Sequence, residues 1–202
     1  MTSLILDELP EVVKIDGSSY SIDTDFKTSM LFELAMLDDS IDNKEKVINA
    51  LELYFGDDIP TNVDEAIKAI MWFYSRGKEA RELKYHGSGV KISNIYNFEY
   101  DADYIYSAFM HDYNIDLQDV QNLHWWKFKA MFDSLNKDNK FCKIMEYRSM
   151  DLKSIKDKEQ RQHYKEMQEL YKIPTQENKD EEEKLKLINE ALMQGKDVSN
   201  LL

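Results

Sequence analysis

The chain is poor in the residues that cross-link, kink or loosen a backbone: one cysteine, three prolines and six glycines in 202 residues. A lone Cys142 excludes an internal disulfide and suits a reducing compartment. Scarce glycine and proline disfavour a turn-rich β-sandwich and favour long helices joined by short loops. Positive charge is also short, since 26 Lys and Arg against 39 Asp and Glu leave a formal charge of −13. That balance speaks against binding by phosphate neutralisation, so neither nucleic acid nor a membrane surface is expected as a partner. No window approaches the roughly 18 consecutive apolar residues of a membrane span. Leu4 to Leu6, with no basic residue ahead of it, does not read as the core of a signal peptide.

What is present is enough to build an interior: 43% apolar residues, with 12 Tyr, 9 Phe and 3 Trp. "EVVKIDGSSYSIDTD" reads as two short strands, Val12–Ile15 and Tyr20–Ile22, around a turn at Asp16-Gly17. The apolar period then lengthens to near 3.6. Leu31, Leu34 and Ala35 mark one helix, and Val47, Ile48, Leu51, Tyr54 and Phe55 a second. The second carries Asp42 and Glu45 as a capping-box pattern and stops near Gly56. Thr61 or Asn62 caps a third helix with Val63, Ala66, Ile67, Ile70, Met71 and Tyr74 on its inner face and Gly77 as its stop. Lys78 to Asn97 is irregular. A helix follows from Asp101 (Ala102, Ile105, Tyr106, Phe109, Tyr113), then one over about Leu117 to Leu135, and shorter ones over Phe141–Tyr147 and Asp157–Tyr171.

The expected fold is therefore mainly α: a bundle of about six to seven helices with a short N-terminal hairpin. It fills residues 1–174. Residues 175–202 read as a charged tail, flexible or transiently helical, with a modest apolar series of Leu185, Ile188 and Leu192.

Two adjacent tryptophans, Trp125 and Trp126, pose the sharpest local question. Neighbouring helical side chains diverge by about 100°, so a continuous Leu117–Leu135 helix sends Trp125, His124, Phe128, Met131 and Phe132 to the core. Trp126 then falls on the far side with Asn122, Lys129 and Asp133. A large aromatic in that place is either covered by a second layer of the same chain or displayed for a partner. Arg148, between Tyr147 and Asp151 at a helix end, either serves as a structural clip, bonding terminal carbonyls or pairing with a carboxylate, or faces an acidic partner segment. Trp126, Lys129, Tyr147 and Arg148 are thus the candidate partner-contacting residues.

Catalytic chemistry is not legible. His86, His111, His124 and His163 show no i, i+4 pair for a metal, and His124 on the apolar sector reads as a hydrogen-bonded structural imidazole. Glu99, Asp101 and Asp103 crowd the start of a helix, where they cap its first turn. No phosphate-binding glycine loop and no nucleophile motif appears, so neither an enzyme nor a cofactor is expected. An acidic mimic of DNA is disfavoured by the lysines interspersed in "DLKSIKDKEQRQHYKEMQ".

The order of "VVKIDGSSYSIDTDFKTSMLFE", "YDADYIYSAFMHDYNIDL", "LHWWKFKAMFDSL" and "YRSMDLKSIKDKEQRQHYKEMQELY" resembles the bacteriophage gene-product-fifteen family of tailed phages and prophages of Gram-positive bacteria. The likeness runs from about Val12 to Pro174. It implies a tail assembly chaperone that holds the tape-measure protein during tail morphogenesis, in the host cytoplasm and absent from the finished virion. A second chaperone product or a further copy of itself would be an additional partner. A minor structural component of the tail is the alternative role. The ten methionines suit an adaptable client surface, although Met71 and Met131 lie on expected core faces.

Overall fold

The computed structural model describes residues 3–78 and 95–174. The chain divides into a unit of Met1–Tyr171 and one of Lys172–Leu202. The expected tail over 175–202 and most of the irregular stretch after Lys78 lie outside the described residues.

The first unit opens with β1 (Val12–Ile15) and β2 (Ser18–Ser21), paired antiparallel with Val12 opposite Ser21 and Ile15 opposite Ser18. A two-residue turn joins them, with Asp16 at φ 50° and Gly17 at φ 81°. Both angles are left-handed, as the tightest hairpin connection demands, so β2 begins at Ser18 rather than at Tyr20. Val13 and Ile15 are buried, and β1 packs on the helix over Val63–Tyr74. That contact stabilises a hairpin too small to stand alone.

Seven helices follow among the described residues: α1 (Phe26–Leu37), α2 (Asn43–Phe55), α3 (Val63–Tyr74), α4 (Ala102–Tyr113), α5 (Trp125–Asp133), α6 (Lys140–Ser149) and α7 (Lys158–Leu170). The mainly helical architecture with an N-terminal hairpin is thus the one the periodicity implies. Local chemistry sets most ends. The Asp42 carboxylate accepts from the Lys44 and Glu45 amides, Asn62 accepts from Glu65, and Gly56 closes α2 at φ 56°. Helix α2 packs on α1 and α3, α5 on α1, and α6 on both α4 and α7.

Three expectations about faces need correction. In α1 the inward residues are Phe26, Ser29, Phe32 and Glu33, while Leu31 is exposed. Two aromatics outweigh the aliphatic series, and Ser29 and Glu33 find polar partners inside. In α3 Phe73 turns inward and Met71 outward, at 48% exposure, so Met71 is not a core filler. The long helix from Leu117 does not form. Residues 24–26 pair with 123–125 in an isolated antiparallel bridge, with the Trp125 amide bonded to the Thr24 carbonyl at 2.7 Å and the Phe26 amide to Leu123 at 2.9 Å. Those bonds hold Leu123 and His124 extended, and α5 starts only at Trp125.

The interior is a stack of rings centred on Phe128, which lies 4.9 Å from Phe26 and from Phe109 and 5.7 Å from Trp125. Phe132 carries the stack on to Phe98 and Phe141.

Candidate interaction site

His124 caps α5. Its Nδ1 accepts the Trp126 amide at 3.0 Å, and its Nε2 reaches the Pro10 carbonyl at 3.2 Å. Burial lowers its pKa, which favours the neutral ring with the proton on Nε2. It is a structural imidazole, as its apolar setting suggests.

Beginning α5 at His124 aims both tryptophans at the end of α3. The Trp125 Nε1 donates to the Tyr74 carbonyl and the Trp126 Nε1 to the Phe73 carbonyl, each at 2.8 Å. These are two of the last carbonyls of α3, beyond the reach of the helix's own amides, and the Phe73 carbonyl also accepts the Arg76 amide at 3.0 Å. Adjacent indoles thus bind adjacent carbonyls. Trp126 is 2% exposed, so it is covered by the chain itself and offers no surface to a partner. A wheel drawn from Leu117 mistakes its setting because α5 enters between α1 and α3 and is wrapped on two sides.

The exposed indole is Trp72, at 41%. It packs edge-on against Trp126 with ring centroids 5.7 Å apart. Gly77, at φ 66°, lets the chain turn beneath it: a Cβ there would stand 3.3 Å from the Trp72 Nε1. Trp72 is therefore a rigid surface aromatic backed by a buried one. Beside it, Asp133 bonds Arg76 at 2.8 Å and Lys129 at 3.0 Å. Lys129 also lies over the Phe132 ring at 4.3 Å, which makes it a half-covered bracket rather than a free cation. Sequence reasoning passed over Trp72 because the α3 wheel was drawn through Met71.

Arg148 is also internal. Its Nη1 and Nη2 bond the two oxygens of Asp101 at 2.7 and 2.9 Å, its Nη1 bonds the Ile95 carbonyl at 3.0 Å, and its Nε bonds the Tyr171 carbonyl at 2.6 Å. Of the two readings of Arg148, the structural clip is the one realised, with Asp101 in place of the nearby Asp151 and the carbonyls of Ile95 and Tyr171 in place of those at the end of α6. No partner-facing role fits a guanidinium so enclosed. Asp101 in turn caps no helical amide of α4; its carboxylate accepts the Asn97 amide at 3.0 Å. Asn97 does the turn capping instead, through the Glu99 and Tyr100 amides. Tyr147 is half-buried among His163, Tyr164 and Tyr171.

A second buried polar cluster joins α1 to the rest. The Glu33 carboxylate accepts from the Tyr74 hydroxyl and, at 3.5 Å, from Tyr96. Burial raises its pKa despite these bonds and the nearby Lys129.

The described surface bears a further apolar feature at the N-terminal end. Ser3 accepts the Leu6 amide at 3.3 Å and donates its own amide to Asp7 at 2.7 Å, which closes one turn. On that turn Ile5 and Leu6 are 90% and 85% exposed, with Asp7 and Glu8 directly after them. An open groove of about 500 Å³ lies between α4, α6 and the end of α7, lined by Tyr100, Asp103, Tyr104, Lys140, Leu170 and Tyr171. Lys140 sits over the Tyr104 ring at 4.8 Å. Among the described residues no group of three His, Cys, Asp or Glu is placed to hold a metal ion, and no helix is long and apolar enough to cross a membrane.

Fold and surface together define a small, mainly helical domain with an aromatic interior, buried ion pairing and bulky apolar side chains left outside on rigid local structure. The family model for the Bacteriophage Gp15 protein matches residues 5–173. The chain belongs to that family and is a phage protein. No curated protein and no solved structure matches it.

Proposed function

We propose that this phage protein is a tail assembly chaperone that binds the tape-measure protein while the tail is being built. The supporting observation is the capped N-terminal turn, whose Ile5 and Leu6 are almost wholly exposed beside Asp7 and Glu8. Nearly bare aliphatic side chains on preformed backbone cost little further order when a partner covers them. The acidic flank suits basic segments of a long helical client, and the charge of −13 keeps neighbouring copies on one client apart. On this reading the protein acts in the host cytoplasm and leaves before the virion is complete. A second chaperone product is a further partner.

Co-expression with the tape-measure product of the same phage tests it. The expected result is a soluble complex that co-purifies, with the association lost in an Ile5→Ser, Leu6→Ser variant. A tape measure that is soluble alone and never associates overturns the reading. Mass spectrometry of purified particles separates it from a structural role, because recovery of the protein in mature tails would make it a tail component.

A further inference from the structure

The outer face of α3 is self-complementary in charge. Asp64, Glu65, Lys68, Met71 and Trp72 are all exposed and fall within one sector of about 120° at roughly 100° per residue. The acids stand at the start of this stripe. At its end Trp72 adjoins Gly77, and Arg76 and Lys129 share the single carboxylate of Asp133. Lys68 bonds Glu65 at 2.7 Å, which leaves Asp64 as the excess charge at the start, while two cations on one carboxylate leave an excess of opposite sign at the end, with Met71 and Trp72 between.

We infer that this face pairs with the same face of a second copy, helix α3 against helix α3 in antiparallel array. A two-fold axis midway between Lys68 and Trp72 sets position 68 of one chain opposite position 72 of the other, and lays the acidic start of each helix toward the turn that follows the end of α3 at Tyr74 in its partner. Each Asp64 then faces the Arg76 side of that turn, each Lys68 stem crosses a Trp72 ring, and the two Met71 side chains meet near the axis. An isologous contact needs just such a patch, complementary to itself when reversed. The aromatic is already fixed by Trp126 and Gly77, so little rotamer freedom is lost on pairing. A second copy meets the excess charge of both ends at once, and this selects it over a partner of uniform charge. The inference stands apart from the tape-measure reading, which concerns the N-terminal turn.

Sedimentation equilibrium of the full chain at about 0.15 M salt, where screening reaches about 8 Å, tests it over concentrations up to about 0.5 mM. The expected result is a reversible monomer–dimer equilibrium that Trp72→Ser shifts at least about tenfold toward monomer. Asp64→Lys and Arg76→Glu each weaken the dimer alone, and an equimolar mixture of the two variants recovers it, because opposite charges again face across both ends. Far-UV circular dichroism checks the fold of each. Should Arg76→Glu misfold beside Asp133, Arg76→Gln replaces it and the single-variant losses decide. A wild-type chain that stays monomeric throughout, or a dimer indifferent to Trp72→Ser and Asp64→Lys, overturns the inference.

Discussion

Arg148 and Asp101 meet through two parallel hydrogen bonds, at 2.7 and 2.9 Å, with 3% and 0% of their side chains exposed. They join the C-terminal turn of α6 to the segment that leads into α4. Breaking one side of such a pair strands a buried charge, which typically costs about 3–5 kcal/mol. Arg148→Met and Asp101→Leu are each expected to lower stability by that order, and the double variant by less than either alone. Urea unfolding of the three proteins measures this, and additive losses would contradict it.

Trp126→Phe keeps most of the ring but removes one of the two donors to the Phe73 carbonyl, which still accepts the Arg76 amide. A loss of about 0.5–1.5 kcal/mol is expected, the net worth of one bond, against about 3–5 for Trp126→Ala. The midpoint of chemical denaturation reports it.

Trp72 and Trp126 touch, yet only one of them meets solvent. Acrylamide should therefore quench the native protein chiefly through Trp72, and Trp72→Phe should leave a bluer, poorly quenched emission. Equal quenching in the variant would mean that the paired tryptophans are accessible.

Glu33 gives a pH signature. Burial raises its pKa in the folded state above the ordinary value of about 4.3, so the native protein holds this proton to higher pH than the unfolded chain. Its contribution is at full strength below the unfolded value and is lost as pH rises through the folded one. Asp112 and Asp116 have lowered pKa values through hydrogen bonds, so their stabilisation grows as pH rises and fades in acid. The difference between wild type and Glu33→Gln isolates the Glu33 part: wild type should lose stability relative to the variant as pH rises above about 4.3. A flat difference across that range would refute it.

Ile5→Ser with Leu6→Ser removes side chains that solvent already surrounds. Stability should change by no more than about 0.5 kcal/mol, as thermal melting would show, while client association is lost. A large destabilisation would place those side chains inside.

Much of the architecture was legible because it is local. The Asp16-Gly17 turn, the caps at Asp42 and Asn62 and the stop at Gly56 depend on residues within a few positions of one another, and the hydrophobic period follows from the geometry of the helix itself. The setting of His124 was legible for the same reason, as a polar ring among apolar neighbours. The faces of α1 and α3 were less so, since a wheel weighs side chains without knowing which buried polar groups will find partners, as Ser29 and Glu33 do.

The contacts that give the surface its character were out of reach of any local pattern. The Trp126 indole bonds a carbonyl 53 residues away, and Arg148 bonds a carboxylate 47 residues away. Bridge pairing with Thr24 and Phe26 decides where α5 starts, and the end of α3 laid over the second flank of α5 covers Trp126 while Trp72 stays outside. Periodicity and capping are properties of a chain segment, so the order of residues settles them; which indole is buried depends on what the remaining chain brings alongside, and only packing settles that.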